Sequence, residues 1–135
     1  MVGILADVDI EGHVAVLLRL LHQEPWRELW LALDVASYDF QRLGLPREAP
    51  DAVVWRLCQE REIVLITGNR NADDPDSLEA TIRAENHARC LPVLTLADPK
   101  AVLADHGYAQ HVASRLLDVF FDVENLRGTG RLFLP

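Results

Sequence analysis

Cysteine is scarce in this 135-residue chain: Cys58 and Cys90 are the two it has, and they form no CxxC pair of the kind that builds a zinc site or a dithiol redox motif. Two buried free thiols are expected instead. Long apolar runs are also missing. Val14 to Leu18 is cut off by Arg19, and no stretch is long enough to span a bilayer, which excludes a membrane-spanning class. The start of the chain lacks the basic region, apolar stretch and small-residue cleavage site of a secretory signal, so a cytoplasmic location is expected. Repeats, low-complexity tracts and flexible linkers are absent. Basic residues are outnumbered, 13 against 21 acidic, for a formal charge of −8. A surface of that sign repels nucleic acid as a whole and leaves room only for local contact, although carboxylates gathered around a divalent ion would cancel part of the charge. What is present is ordinary globular composition, half hydrophobic and a quarter charged, sized for a single domain over residues 1–135.

Short apolar runs alternate with amphipathic segments, the pattern of a parallel sheet with crossover helices and hence an α/β fold. Val2 to Ala6 reads as a first strand. Val14, Leu17, Leu18 and Leu21 then fall at i, i+3, i+4 and i+7, making Glu11 to His22 a core-facing helix. Pro25 suits the first position of a further helix, with Trp26, Leu29, Trp30 and Leu33 on its inner face. Residues 34–50 have no clean period; a short strand is placed near Val35 to Phe40. Pro50 and Asp51 open a helix that buries Val54, Leu57 and Cys58, and Ile63 to Thr67 is the next strand. Pro75 and Asp76 open another helix, where Glu79 and Arg83 pair at i, i+4. Pro92 to Leu96 is a strand bounded by Ala97, Asp98 and Pro99. Tyr108 to Val123 is a long helix with Val112, Leu116, Leu117 and Phe120 inward, and after a turn at Gly128 and Gly130, Arg131 to Leu134 forms a short last strand.

Two of these strands end abruptly in polar groups. Val2 to Ala6 runs into Asp7, Val8, Asp9, Ile10, Glu11, and Ile63 to Thr67 runs into Gly68, Asn69, Arg70, Asn71 and then Asp73, Asp74, Asp76 and Glu79. Buried parallel strands end this way at the carboxyl edge of a sheet, where open α/β folds hold their ligands. Carboxylate and carboxamide oxygens delivered by two such ends suit a hard cation, Mg²⁺ or Mn²⁺. Asp7, at a strand mouth, is the leading candidate. Asp9 and Glu11 are read as first-turn residues favoured by the helix dipole, and Asp51 as an N-cap or first-turn residue. Asp76 with Glu79 fits a capping box, while Asn69 and Asn71 fit turn geometry. Arg70 offers a fork for a phosphate, and His13, in the first helical turn, reads first as a solvated surface histidine, with a phosphate contact as the alternative.

Taken together these segments resemble the PIN-like nuclease superfamily, in particular a short bacterial branch of toxin-related PIN-like proteins. The likeness covers most of the chain: Ala6, Asp7, Val8, Asp9 at the first strand end; Leu45 to Trp55 with Asp51 opening a helix; Val64, Leu65, Ile66, Thr67, Gly68, Asn69; and Asn69, Arg70, Asn71 followed by Asp76, Ser77, Leu78, Glu79. It implies a three-layer sandwich around a mostly parallel central sheet and a metal-dependent ribonuclease acting on single-stranded RNA, a toxin-type component. By this resemblance Asp7, Asp51 and Asn69 hold Mg²⁺ or Mn²⁺. Asp76 joins them as a ligand and Glu79 as a further catalytic carboxylate, replacing the charge lost where Asn69 stands in place of the family's aspartate. Arg70, Asn71 and His13 become substrate-binding residues. An antitoxin-like protein and a second copy, paired through Arg131 to Pro135, are the partners implied.

Two alternatives belong to other classes. Asp7, Val8, Asp9 is similar to the DxD of haloacid-dehalogenase-type phosphatases, with Asp7 as nucleophile, Asp9 as acid and base, Thr67 as second-motif hydroxyl and Lys100 as phosphate-binding lysine. The third reading is a PIN-like domain weakened by Asn69 that binds without cutting.

Overall fold

The structure, a computed structural model, describes residues 2–68 and 77–135. Its strands are β1 (Gly3–Ala6), β2 (Ala36–Tyr38), β3 (Ile63–Thr67), β4 (Val93–Leu96) and β5 (Arg131–Leu134). Its helices are α1 (Glu11–Leu21), α2 (Arg27–Leu33), α3 (Asp51–Arg61), α4 (Leu78–Glu85), α5 (Pro99–Ala104) and α6 (His106–Phe121). The strands form one sheet in the order β2-β1-β3-β4-β5, and every neighbouring pair is parallel. The expected "mostly parallel" sheet is therefore wholly parallel among the described residues.

Side-chain alternation divides the core in two. Ile4, Val64, Ile66, Leu94, Leu96 and Leu134 face one way and pack on α1, α2, α5 and α6 through residues such as Leu17, Leu21, Trp30, Val102, Val112 and Leu116. Leu5, Ile63, Leu65 and Val93 face the other way, onto Val54, Trp55 and Cys58 of α3 and Leu78 and Ile82 of α4. The result is a three-layer α/β sandwich. All five residues of β3 are buried, which explains why that strand is an unbroken apolar run with no period of two. Both cysteines are buried free thiols.

Several local contacts hold this arrangement. Gln59, near the end of α3, donates to the carbonyl of Leu91 at 3.0 Å and accepts from its N–H at 2.8 Å, docking the helix on the segment that leads into β4. At the sheet margin, the Arg42 guanidinium lies 4.7 Å over the Tyr38 ring and donates to the carbonyl of Ser37 at 2.8 Å. Gly3 is required beside it: a Cβ there would come within 2.5 Å of the Tyr38 ring and 3.1 Å of the Ala36 carbonyl oxygen. Gly128 and Gly130 adopt positive φ in the turn before β5, a conformation other residues adopt at a cost.

The structure departs from the sequence reading at several points. Pro25 does not open α2; it follows a cis peptide in the preceding turn, and the helix begins at Arg27. Leu29 is exposed, while Trp30, edge-on to Phe120 at 5.5 Å, is the buried anchor of α2, with Leu33 and the preceding Trp26 packed partly buried beside it. Trp55 is buried on α3, where Leu57 is only partly so. Ala97, Asp98 and Pro99 do not merely bound a strand, because Asp98 accepts from Ala101 N–H and caps α5. The cap of α4 is Ser77, whose hydroxyl accepts from Ala80 N–H, one residue later than expected.

Candidate functional site at the strand switch point

The chain crosses from β1 outward to β2 and afterwards adds β3, β4 and β5 on the opposite side of β1. Between β1 and β3 the direction of winding reverses, and the crevice beyond the carboxyl ends of those strands is where doubly wound sheets hold ligands. Asp7 stands there. Its N–H extends the ladder by donating to Ile66 O at 2.9 Å, and its extended backbone caps a short 3-10 turn over Val8–Ile10. One carboxylate oxygen, Oδ1, accepts from Val8 N–H at 2.9 Å, and Oδ2 accepts from the Thr67 hydroxyl at 3.1 Å. Asp7 thus joins the two strand ends through its side chain as well as its backbone. Next along β3, Gly68 leaves room for its neighbours; a Cβ there would press on Ile10 at 3.2 Å.

Burial raises the Asp7 carboxyl above its usual value, and the negative charges of Asp9 and Asp51 push in the same direction, while the bonds from Val8 and Thr67 work against them. Three carboxylates therefore crowd one corner. Asp9 is exposed in the 3-10 turn. Asp51 lies in the first turn of α3 rather than at its N-cap, which is Pro50, and its Oδ2 accepts from Leu78 N–H at 3.2 Å. That bond ties the starts of α3 and α4 together, so Asp51 serves a helix start and the Asp7 corner at once. Cys58, behind Asp7 on the same layer, is held as a neutral thiol: burial first, then the Asp7 charge, push it to about 12.

A row of side chains continues from Asp7 across the sheet. Ala6 pairs with Ile66, so Asp7 follows opposite Thr67; Thr67 pairs with Thr95, and Thr95 with Phe133. Thr67 and Thr95 are both fully buried, and with Ser77 and Thr81 of the α4 entry they make up the buried polar residues among those described. The Thr95 Oγ1 has no hydrogen-bond partner.

Of the other expected site residues, Asn69, Arg70, Asn71 and Asp76 lie outside the described residues. Glu79 is placed elsewhere: it pairs with Arg83 at 3.8 Å and with Arg131 at 3.6 Å. Arg131 opens β5, three strand spacings or about 14 Å from β1. Glu79 therefore pairs with two arginines, one of them on β5; its expected reach back to Asp76 lies outside the described residues. Glu11 pairs with Arg47 at 3.0 Å. His13 is partly buried on α1, and its Nδ1 is shielded without a partner. Lys100 is exposed in the first turn of α5, beyond the carboxyl end of β4.

Among the described residues no three His, Cys, Asp or Glu side chains gather closely enough to hold a metal ion by themselves. Asp7, Asp9 and Asp51 nevertheless suit one in kind. They offer oxygen donors alone, and a hard divalent cation would offset the burial, and the lesser charges of Asp9 and Asp51, that raise Asp7. Sequence reasoning missed Thr95, because within an apolar run threonine reads only as a strand former. No family model, curated protein or solved structure matches the chain.

Proposed function

We propose that this chain is a PIN-like, divalent-metal-dependent ribonuclease that hydrolyses phosphodiester bonds of single-stranded RNA at the β1–β3 switch point. The observation that supports this best is Asp7, held by Thr67 and Val8 at the carboxyl edge and crowded by Asp9 and Asp51. Mg²⁺ or Mn²⁺, when bound, supplies Lewis-acid polarisation of a phosphoryl oxygen and a water acidic enough to attack at neutral pH. The protein's own part is positional. Val8 and Thr67 each occupy one oxygen of Asp7, which fixes the plane of the carboxylate. Asp51 brings a second carboxylate from α3, and Asp9 a third from the 3-10 turn. A surface charge of −8 keeps RNA contact confined to this mouth.

The test is Mn²⁺-dependent cleavage of an end-labelled single-stranded RNA. Asp7→Asn should lower the rate about a hundredfold or more with the fold intact by circular dichroism. Cleavage that survives unchanged in Asp7→Asn assigns the activity to a contaminant and removes the reading. The Asp7–Thr67 bond also favours one second reading, a phosphatase with Asp7 as nucleophile and Thr67 as phosphoryl-binding hydroxyl. Turnover of p-nitrophenyl phosphate without cleavage of RNA would select it.

A further inference from the structure

Between α1 and the rim strand β2 the fold leaves a cavity of about 180 Å³. Its walls are apolar, Ile4 of β1 with Val14, Ala15 and Leu18 of α1, and its margin is polar: Glu11 opens α1, Ser37 lies in β2 and Asp39 follows that strand. Ala6, the residue before Asp7, lines it too. Ile4 and Ala6 pack on one face of β1, whereas Asp7 feels the charge of Asp51 and acts on Cys58, both of α3, on the other. The cavity and Asp7 thus lie on the two sides of one strand end. A space this small excludes drug-sized ligands, which need about 300 Å³ or more. It admits a single planar ring system.

We infer that this slot takes one unpaired guanine base of the substrate strand. Its apolar walls suit the face of a base, and the two carboxylates at its margin accept hydrogen bonds without donating. Each is held through one oxygen: Arg47 pairs with Glu11 Oε1 at 3.0 Å, and the Arg42 N–H donates to Asp39 Oδ1 at 2.7 Å. The second oxygen of each is left for a ligand. Guanine alone of the four bases carries two adjacent donors, a ring N–H and an amino group, on its pairing edge, with a carbonyl beside them for the Ser37 hydroxyl. Adenine and cytosine offer one amino group next to an acceptor, and uracil one N–H between two carbonyls, so each would set a lone pair against a carboxylate. Arg42 and Arg47 are exposed beside the slot and give the flanking phosphates two cations on a chain of charge −8. That the base belongs to a strand cut at Asp7 rests on the ribonuclease reading above; the selectivity of the slot does not.

Two measurements separate these. The first titrates the metal-free protein with GMP, AMP, CMP and UMP and follows its backbone amides by NMR. GMP should move the amides of Val14, Ala15 and Ser37 and bind about tenfold more tightly than the other three. Ala15 is exposed, so Ala15→Phe should fill the slot on an intact fold and weaken GMP about tenfold or more. Asp39→Asn, which exchanges an acceptor for a donor, should lower the preference for GMP over AMP severalfold, and it carries the comparison should Ala15→Phe not fold. In the second measurement, RNA cleavage, cuts should fall beside guanines in the wild type and lose that preference in Ala15→Phe. Equal affinity for the four nucleotides, no GMP shifts at millimolar concentration, or shifts confined to other elements overturns the inference whatever the activity. If GMP binds as expected while no RNA is cut, the ribonuclease reading falls and the guanine slot stands.

Discussion

Asp7, at the carboxyl edge of the sheet, carries a stability cost. Because burial and like charges raise its proton affinity above the usual 3.8, the folded chain holds that proton more tightly than the unfolded chain. The stability this confers is complete below the unfolded value and is lost as pH rises through the folded one. At pH 7 the charged form is therefore a burden. Asp7→Asn should raise the melting temperature by a few degrees at pH 7, and the gain should shrink to nothing below about pH 4. Added Mn²⁺ should stabilise the wild type and not this variant, since only a carboxylate repays the ion; parallel melts across pH and Mn²⁺ concentration check both. Asp7 was legible in the sequence because it ends an apolar run, where few structural roles call for a carboxylate. The pairing of Glu79 with Arg83 was legible from their spacing, but its pairing with Arg131, 52 positions later by the difference of the two residue numbers, was not, because nothing local reveals it. Thr95 was illegible for a related reason. Within an apolar run threonine reads only as a good strand former, and its relation to Thr67 exists once register is known.

At the level of elements, the most exacting joint is the one Gln59 makes between α3 and the approach to β4. Both backbone groups of Leu91 bond to this one side chain, and Leu91 is fully buried. Gln59→Leu leaves a buried N–H and a buried carbonyl unsatisfied and should cost about 2 kcal/mol or more, read as a lower urea midpoint. An exposed position on the same helix, Arg61, should tolerate a change with little effect. Element existence was well forecast wherever a period was strong: α1, α3 and α6 fall within two residues of their expected limits at the start, as do β3, β4 and β5. Starts governed by a single side chain were less legible. Ser77 rather than Asp76 caps α4, and both residue types favour that position, so only backbone geometry separates them. The helix α5 was overlooked because it is short, with one buried residue, Val102, too few for a period.

For the molecule as a whole, the two halves of the core have no independent support. Both rest on β1, β3 and β4, one through Ile4, Val64 and Leu94 and the other through Leu5, Leu65 and Val93. They should therefore unfold together. Trp30 reports on one layer and Trp55 on the other, so variants that keep one of these tryptophans and replace the rest by phenylalanine should give coincident urea transitions. Leu116→Ala and Leu65→Ala, one on each side, should each shift that shared transition by about 2–5 kcal/mol. Separate midpoints would show two folding units. The α/β class followed from alternating runs and helical segments; the strand order did not. Amphipathic patterning tells which face of an element is buried but not which strand it adjoins, and the switch point that gives Asp7 its setting appears only once β3 is seen beside β1 on the side away from β2.

An open parallel sheet has two rims, and identical copies joined rim to rim in the same direction make a contact that repeats without closing, the geometry of a fibre. The β2 rim of this chain is shut by one residue. Arg42, stacked on Tyr38, takes up the Ser37 carbonyl with its guanidinium, and the strand it guards is three residues long. Endless polymerisation needs both rims, and the small Arg42–Tyr38 contact takes one outward carbonyl of the β2 rim out of that exchange.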